Sequence, residues 1–180
     1  MRVAVGLGSN LGDRRATLEL ALRKLDARPG LSVIRSSRWY RTPPMRGGTA
    51  YGWFLNGVTL LECALPLKTL LEVCISLEGQ AGRRPDRFWG DRPLDLDLLL
   101  AEGVVRDDPA LTLPHPGVRT RPFVLVPLLE VWPDARDPRT GRRWADLPFV
   151  PGPRPVAVGV TTRRFAPCAV RETCERRRAG

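Results

Sequence analysis

The sequence predicts one domain of mixed strands and helices, in the order strand, helix, strand, strand, helix, strand. Three observations carry that expectation. A chain of 180 residues is long enough to bury a proper core within one domain. Between Arg92 and Leu100, Leu94, Leu96, Leu98 and Leu100 alternate with Asp95 and Asp97, the period-two pattern of a strand with one apolar face. Two other stretches, around Leu18–Leu25 and Leu67–Leu77, repeat their apolar residues at helical spacing instead.

Taken in order, Val3–Leu7 is a short apolar run ending in Gly6-Leu7-Gly8-Ser9-Asn10-Leu11-Gly12-Asp13. That glycine spacing fits neither the dinucleotide fingerprint nor a phosphate-binding loop, so an ATP site here must work without one. Ser9 or Asn10 is the expected N-cap of the first helix, which carries Leu18, Leu22 and Leu25 as its stripe and stops at Pro29-Gly30. Leu31–Tyr40 reads as a second strand, and Arg41–Ala50 as a loop from its prolines and glycines. Trp53–Glu62 is the third strand, with Phe54, Asn56 and Val58 on one face. The amide of Asn56, set among aromatics and aliphatics, must find hydrogen bonds. An adjacent backbone or a flat heterocycle would supply them.

Pro66 opens the second helix, lined by Leu67, Leu70, Leu71, Cys74 and Leu77 and ended by Gly79 and Gly82. After the Asp-Leu-Asp strand come a turn at Glu102-Gly103, a short strand at Val104-Val105 and a helix over Arg121–Trp132 with Pro122 at its start. Thr140–Leu147 is expected to form a last short helix. Residues 149–180 are basic and rich in proline, and are expected to be a poorly ordered tail beyond a 1–148 domain.

The formal net charge is +10, but its distribution argues against a nucleic-acid surface. Residues 1–134 hold 18 Lys/Arg against 15 Asp/Glu, whereas the last thirty residues hold seven arginines against two glutamates. Arginine outnumbers lysine 27 to 2, so a single arginine carries little information by itself. No apolar run approaches membrane-spanning length. Cys63, Cys74, Cys168 and Cys174 form no Cys-x-x-Cys pair, and reduced, idle thiols in a cytoplasmic monomer are expected.

The chemistry concentrates around the Asp-Leu-Asp strand. Its two carboxylates point to the same face, roughly 6–7 Å apart along the strand. Such a pair raises its own pKa values unless a cation intervenes, and oxygen ligands of this kind suit Mg²⁺ together with substrate phosphates. A lone Asp-x-Asp is more often a solvated strand face. Here, however, Gly82-Arg83-Arg84-Pro85-Asp86-Arg87-Phe88-Trp89-Gly90-Asp91-Arg92 precedes it, dense in guanidinium. Arginines beside paired carboxylates are what a metal-bound polyphosphate needs. His115, the only histidine, follows in Leu111-Thr112-Leu113-Pro114-His115.

These pieces resemble the 6-hydroxymethyl-7,8-dihydropterin pyrophosphokinase family. The matching stretches are Gly8-Ser9-Asn10, Tyr40-Arg41-Thr42-Pro43-Pro44, Phe54-Leu55-Asn56 and Trp89-Gly90-Asp91-Arg92-Pro93-Leu94-Asp95-Leu96-Asp97. Leu111–His115 and Arg121–Leu128 complete the set, in family order over residues 1 to about 147. The resemblance implies an α+β ferredoxin-like sandwich with an antiparallel sheet. It implies transfer of pyrophosphate from ATP to the pterin hydroxymethyl group, releasing AMP in folate biosynthesis, with two Mg²⁺ ions. By the same likeness Asp95 and Asp97 hold the metal and, with Arg83 and Arg92, are catalytic. Thr42, Pro43, Met45, Phe54, Asn56 and Phe123 bind the pterin. Glu78, Arg83, Arg84, Trp89, Arg92, Leu98, Thr112, His115 and Arg121 bind ATP. Phe54 stands where tyrosine is common, and Asp91 where proline or alanine is usual. Two other classes fit parts of the pattern: a different Asp-x-Asp nucleotidyl- or glycosyltransferase, and a basic nucleic-acid-binding module.

Overall fold

The structure, a computed structural model, describes residues 1–45, 47–83, 90–148, 155–158 and 163–164. Strand β1 (Arg2–Ser9) leads into helix α1 (Arg14–Asp26), followed by β2 (Leu31–Ser36), β3 (Trp39–Thr42) and β4 (Phe54–Cys63). Helix α2 (Leu67–Gln80) precedes β5 (Asp95–Ala101), then a hairpin of β6 (Arg106–Asp108) and β7 (Leu111–Leu113). One helical turn, α3 (Gly117–Thr120), leads to α4 (Pro122–Val131). The sheet runs β5-β1-β4-β2, antiparallel throughout, with β3 continuing beside the first half of β4. This is the antiparallel α+β sandwich expected.

Each face of the sheet has its own core. Val3, Val5, Leu7, Leu96 and Leu98 meet Leu18, Leu22 and Leu25 of α1 and Leu70, Cys74 and Leu77 of α2. On the other face Ala4, Val58 and Leu60 meet Val124, Leu125 and Leu128 of α4, with Trp132 and Trp144 beyond. Because α4 covers only part of that second face, the rest of it is free to carry a site.

Several boundaries differ from the sequence expectation, each for a local reason. The N-cap of α1 is Asp13, whose carboxylate accepts from the Ala16 N–H at 3.0 Å, rather than Ser9 or Asn10. Leu31–Tyr40 is two strands, parted at Ser37, whose Oγ accepts from the Val58 N–H at 2.9 Å. The short strand expected at Val104-Val105 lies two residues on, at Arg106–Asp108. Thr140–Leu147 holds only the 3-10 turn Trp144–Asp146. Within the expected poorly ordered tail, β8 (Val156–Val158) pairs with β3 and β9 (Arg163–Arg164) with β2. Beyond residues 155–158 and 163–164, the stretch 149–180 lies outside the described residues.

One departure shapes the site. Val5 lies opposite Leu98 and Ala4 opposite Leu100, so Leu99 is an extra residue in β5. Such a bulge resets the alternation. Leu99 and Leu100 consequently both pack on the α4 side, and Leu100 does not share the face of Leu94, Leu96 and Leu98. The carbonyl of Leu99 accepts from the His115 N–H at 2.8 Å, which ties the chain bearing His115 to the strand bearing the carboxylates.

Candidate active site

Strand register builds the floor of a cleft of about 660 Å³ on the uncovered part of the second face. Gly8 of β1 lies between Asn56 of β4 and Asp95 of β5, and Gly6 lies between Val58 and Asp97. With strands about 4.8 Å apart, Asn56 and Asp95 stand roughly 10 Å from each other across the sheet. The glycines keep that span open. A Cβ at Gly8 would sit 2.9 Å from Asn56 Oδ1, and one at Gly6 would sit 3.3 Å from Leu99 Cδ1.

At the β4 end, Asn56 Nδ2 donates to the buried Thr42 Oγ1 at 2.7 Å. The partner of the conspicuous amide is thus a side chain, not the adjacent backbone. The bond fixes which way the amide faces, and its second N–H and its carbonyl can meet a ligand. Phe54, Phe123, Pro43 and Met45 line the same end. Two rings with a fixed amide can receive a flat heterocycle, stacking its faces and reading its edge.

At the β5 end the groups are charged. Asp95 Oδ1 accepts from Arg83 Nη1 and from Arg92 Nη1, both at 2.9 Å. The same Arg83 nitrogen donates to Glu78 Oε1, which also accepts from the Leu96 N–H at 2.7 Å. Glu78 is therefore a clamp between α2 and β5 as well as a wall of the cleft. Burial pushes its pKa up, against the pull of the Leu96 N–H and Arg83. Asp97 is pushed up by burial first and then by the charge of Asp95, while His115 and Arg121 pull it down.

His115 is held below the ordinary imidazole value by burial above all, although the charge of Asp97 opposes the shift. Its Nδ1 accepts from the Gly117 N–H at 2.9 Å, so the ring proton is on Nε2. Gly117 permits this approach, since a Cβ there would lie 2.8 Å from His115 Nδ1 and 3.0 Å from Arg121 Cδ. A neutral donor and Arg121 thereby stand on one wall.

Most residues singled out from the sequence meet in this cleft: Thr42, Pro43, Met45, Phe54, Asn56, Glu78, Arg83, Arg92, Asp95, Asp97, His115, Arg121 and Phe123. Two do not. Leu98 is 3 % exposed and packs among the helices α1 and α2, on the face away from Asp97. Thr112 lies outside the lining, in the β6–β7 hairpin, where its Oγ1 donates to the Asp108 carbonyl at 3.3 Å. Arg84 and Trp89 lie outside the described residues. The sequence reading missed the glycine floor, the bulged Leu99, and Ile75 and Gly79 on the α2 wall. Alternating glycines in a strand, at Gly6 and Gly8, were the available signal.

The donor set fits a hard cation. Among the described residues no group of three His, Cys, Asp or Glu side chains could hold a metal by itself. Asp95 and Asp97 offer two carboxylates beside an open floor. Mg²⁺ takes one or two carboxylates and completes its shell with water and phosphate oxygens. Asp95 is already bonded to Arg83 and Arg92, so Asp97 is the carboxylate of the pair with no hydrogen-bonded cation among the described residues.

Comparison with known proteins decides the family. The profile of the 7,8-dihydro-6-hydroxymethylpterin-pyrophosphokinase (HPPK) family matches residues 4–133. The chain belongs to that family. HPPK relatives include a 2-amino-4-hydroxy-6-hydroxymethyldihydropteridine pyrophosphokinase from Methylorubrum extorquens, 48% identical over 74% of this chain and 84% of the relative. The protein of that name from Pseudomonas aeruginosa is 38% identical over 81% of this chain and 89% of its own length. A solved HPPK-DHPS in complex with substrates superposes with a TM-score of 0.57 at 12% identity, over 80% of this chain and 42% of that one. That likeness shows the HPPK fold. No helix of the described residues is long and apolar enough to cross a membrane.

Proposed function

We propose that the chain transfers the β,γ-pyrophosphoryl group of ATP to the hydroxymethyl oxygen of 6-hydroxymethyl-7,8-dihydropterin, releasing AMP, as a step of folate biosynthesis. The observation that carries this reading is the row Asn56–Gly8–Asp95. It sets a neutral, amide-bearing slot roughly two strand spacings, about 10 Å, from a carboxylate pair ringed by cations. A pterin in the slot and a triphosphate at the carboxylates would meet above the glycine floor. A nucleic-acid module has no use for the carboxylate pair, and a generic Asp-x-Asp transferase none for the amide slot.

Each group then has a task. Asn56 reads the pterin edge while Phe54 and Phe123 stack on its faces, which aligns the hydroxymethyl oxygen for in-line attack. Arg83 and Arg92, held against Asp95 in the free protein, turn to the phosphates. Arg121 and the Nε2–H of His115 complete the cradle. Asp95 and Asp97 would hold magnesium, two ions in this reading, which neutralises charge on the phosphate oxygens. Transfer of this kind depends on positioning and charge stabilisation more than on a strong base. All these residues belong to one chain, so the reading needs no second subunit. The free, buried thiols of Cys63 and Cys74 suit a cytoplasmic setting.

The test is dependence. Consumption of ATP should require both the reduced pterin and Mg²⁺, with one AMP released per pterin consumed. ATP turnover that ignores the pterin would overturn the proposal.

A further inference from the structure

Asp91, the acid in the place where proline or alanine is usual, is not spent on phosphate chemistry. Its Oδ1 accepts from Asn10 Nδ2 and, at 3.2 Å, from the Tyr51 N–H. Asn10 makes three bonds to this segment, two of them to Arg92 and one to Asp91. Its Oδ1 accepts from the Arg92 N–H at 2.7 Å, its own N–H donates to the Arg92 carbonyl at 3.2 Å, and its side chain carries the Asp91 bond. Arg92 continues the chain to Asp95 at 2.9 Å. One carboxylate oxygen therefore joins the end of β1, the Arg92 segment that leads into β5 and the far end of the 43–53 loop.

That loop carries Met45 and delivers Phe54 to the cleft. Its described end is otherwise held lightly. Gly52 lies against Asn10 and Arg14, its Cβ position 3.4 Å from the Asn10 carbonyl and 3.8 Å from Arg14 Nη2. Trp53 is flanked by the guanidinium carbons of Arg14 at 4.1 Å and Arg41 at 4.7 Å. The Tyr51 side chain is 93 % exposed, so it holds nothing. The backbone N–H bonded to a charged acceptor is the directional tie.

We propose that Asp91 is a positioning residue that couples the pterin loop to the Arg92–Asp95 end, so that the wall of the acceptor slot and the phosphate cradle are held as one unit. The claim rests on the functional reading above only for its effect on pterin. The coupling itself is a property of the ligand-free protein. An alanine or proline there cannot accept either bond, and this end of the loop would then be held by Trp53, through its arginine stack and its packing on the core.

The experiment is hydrogen exchange on the full, ligand-free chain, wild type against Asp91→Ala and Asp91→Asn, with melting temperatures recorded in parallel. Losing a bond to a charged acceptor should speed exchange at Tyr51 and neighbouring residues 47–52 by roughly tenfold or more in Asp91→Ala. Asp91→Asn, which keeps one acceptor oxygen, should fall between. Titration should then show pterin affinity reduced severalfold in Asp91→Ala, with binding of a non-hydrolysable ATP analogue changed less. Unchanged exchange at 47–52 in either folded variant overturns the coupling. Faster exchange with undiminished pterin affinity overturns the positioning role. Failure of the wild type to bind pterin at all would count against the functional reading while leaving the exchange result to stand.

Discussion

At one end of the cleft Asn56 donates to Thr42 at 2.7 Å, and the slot is neutral and fixed before any ligand arrives. At the other, Asp97 is half-buried beside Asp95 with no hydrogen-bond donor on its carboxylate among the described residues, and its pKa is pushed up. The first end is built like a receptor, organised at little electrostatic cost. The second is costly until a cation and a triphosphate compensate it. Under the proposed function, affinity for the acceptor and capacity for transfer are lodged in separate strands, β4 and β5, bridged by the glycines of β1 and by the Asp91 bonds. Each end can therefore be damaged by itself.

The largest effect is expected at the charged end. Asp95→Ala or Asp97→Ala should lower turnover by about a thousandfold or more, since several kcal/mol of charge stabilisation made mainly in the transition state is lost. Steady-state assays check this, and near-normal turnover in either variant would remove the metal assignment. Next comes Asn56→Ala, which should weaken pterin binding by roughly ten- to a hundredfold, the cost of a buried heterocycle edge left unpaired. Calorimetry should show an ATP analogue binding almost as before. Equal losses for both ligands would erase the distinction between the ends.

Gly8→Ala sharpens the comparison, because it intrudes on the span that joins them. Its Cβ, 2.9 Å from Asn56 Oδ1, must push the amide aside, so pterin affinity should fall by roughly tenfold, about 1.4 kcal/mol, with the fold retained. Unaltered binding would show that the floor has slack.

The smallest effect has the opposite sign. The folded-state pKa of Asp97 lies above its unfolded value. Its ionised form therefore costs stability above the folded pKa, and that cost is relieved as pH falls through it. Asp97→Asn should thus raise the melting temperature of the metal-free protein at pH near 7 while abolishing turnover. The gain should shrink in mildly acid buffer. A lower melting temperature at neutral pH would mean that the ionised carboxylate is stabilised, not penalised, in the folded protein.

Much of this was legible in the sequence, where local pattern and local chemistry coincide. Alternation across Leu94–Leu98 put Asp95 and Asp97 on one face, and the apolar stripes of α1 and α2 gave the helices that cover the other. What failed was non-local. The bulge at Leu99 depends on β1 pairing and has no signature in a run of three leucines, so Leu100 was misfaced. Asp13 outcompeted Ser9 and Asn10 as a cap because Asn10 is bonded to Arg92, 82 positions along the chain. Glu78 was expected to bind ATP, but its clamp depends on α2 meeting β5, where its carboxylate holds both Arg83 and the Leu96 N–H.

The account stands on which bond of ATP is cut at the charged end and where the severed group goes. ATP labelled in its β-phosphate, incubated with the reduced hydroxymethylpterin and Mg²⁺, gives the most direct answer. The label should leave the nucleotide entirely and appear with the pterin, adenine being recovered as AMP. Label retained in ADP, or a pterin carrying a single phosphate, would contradict the cleft as it is read here.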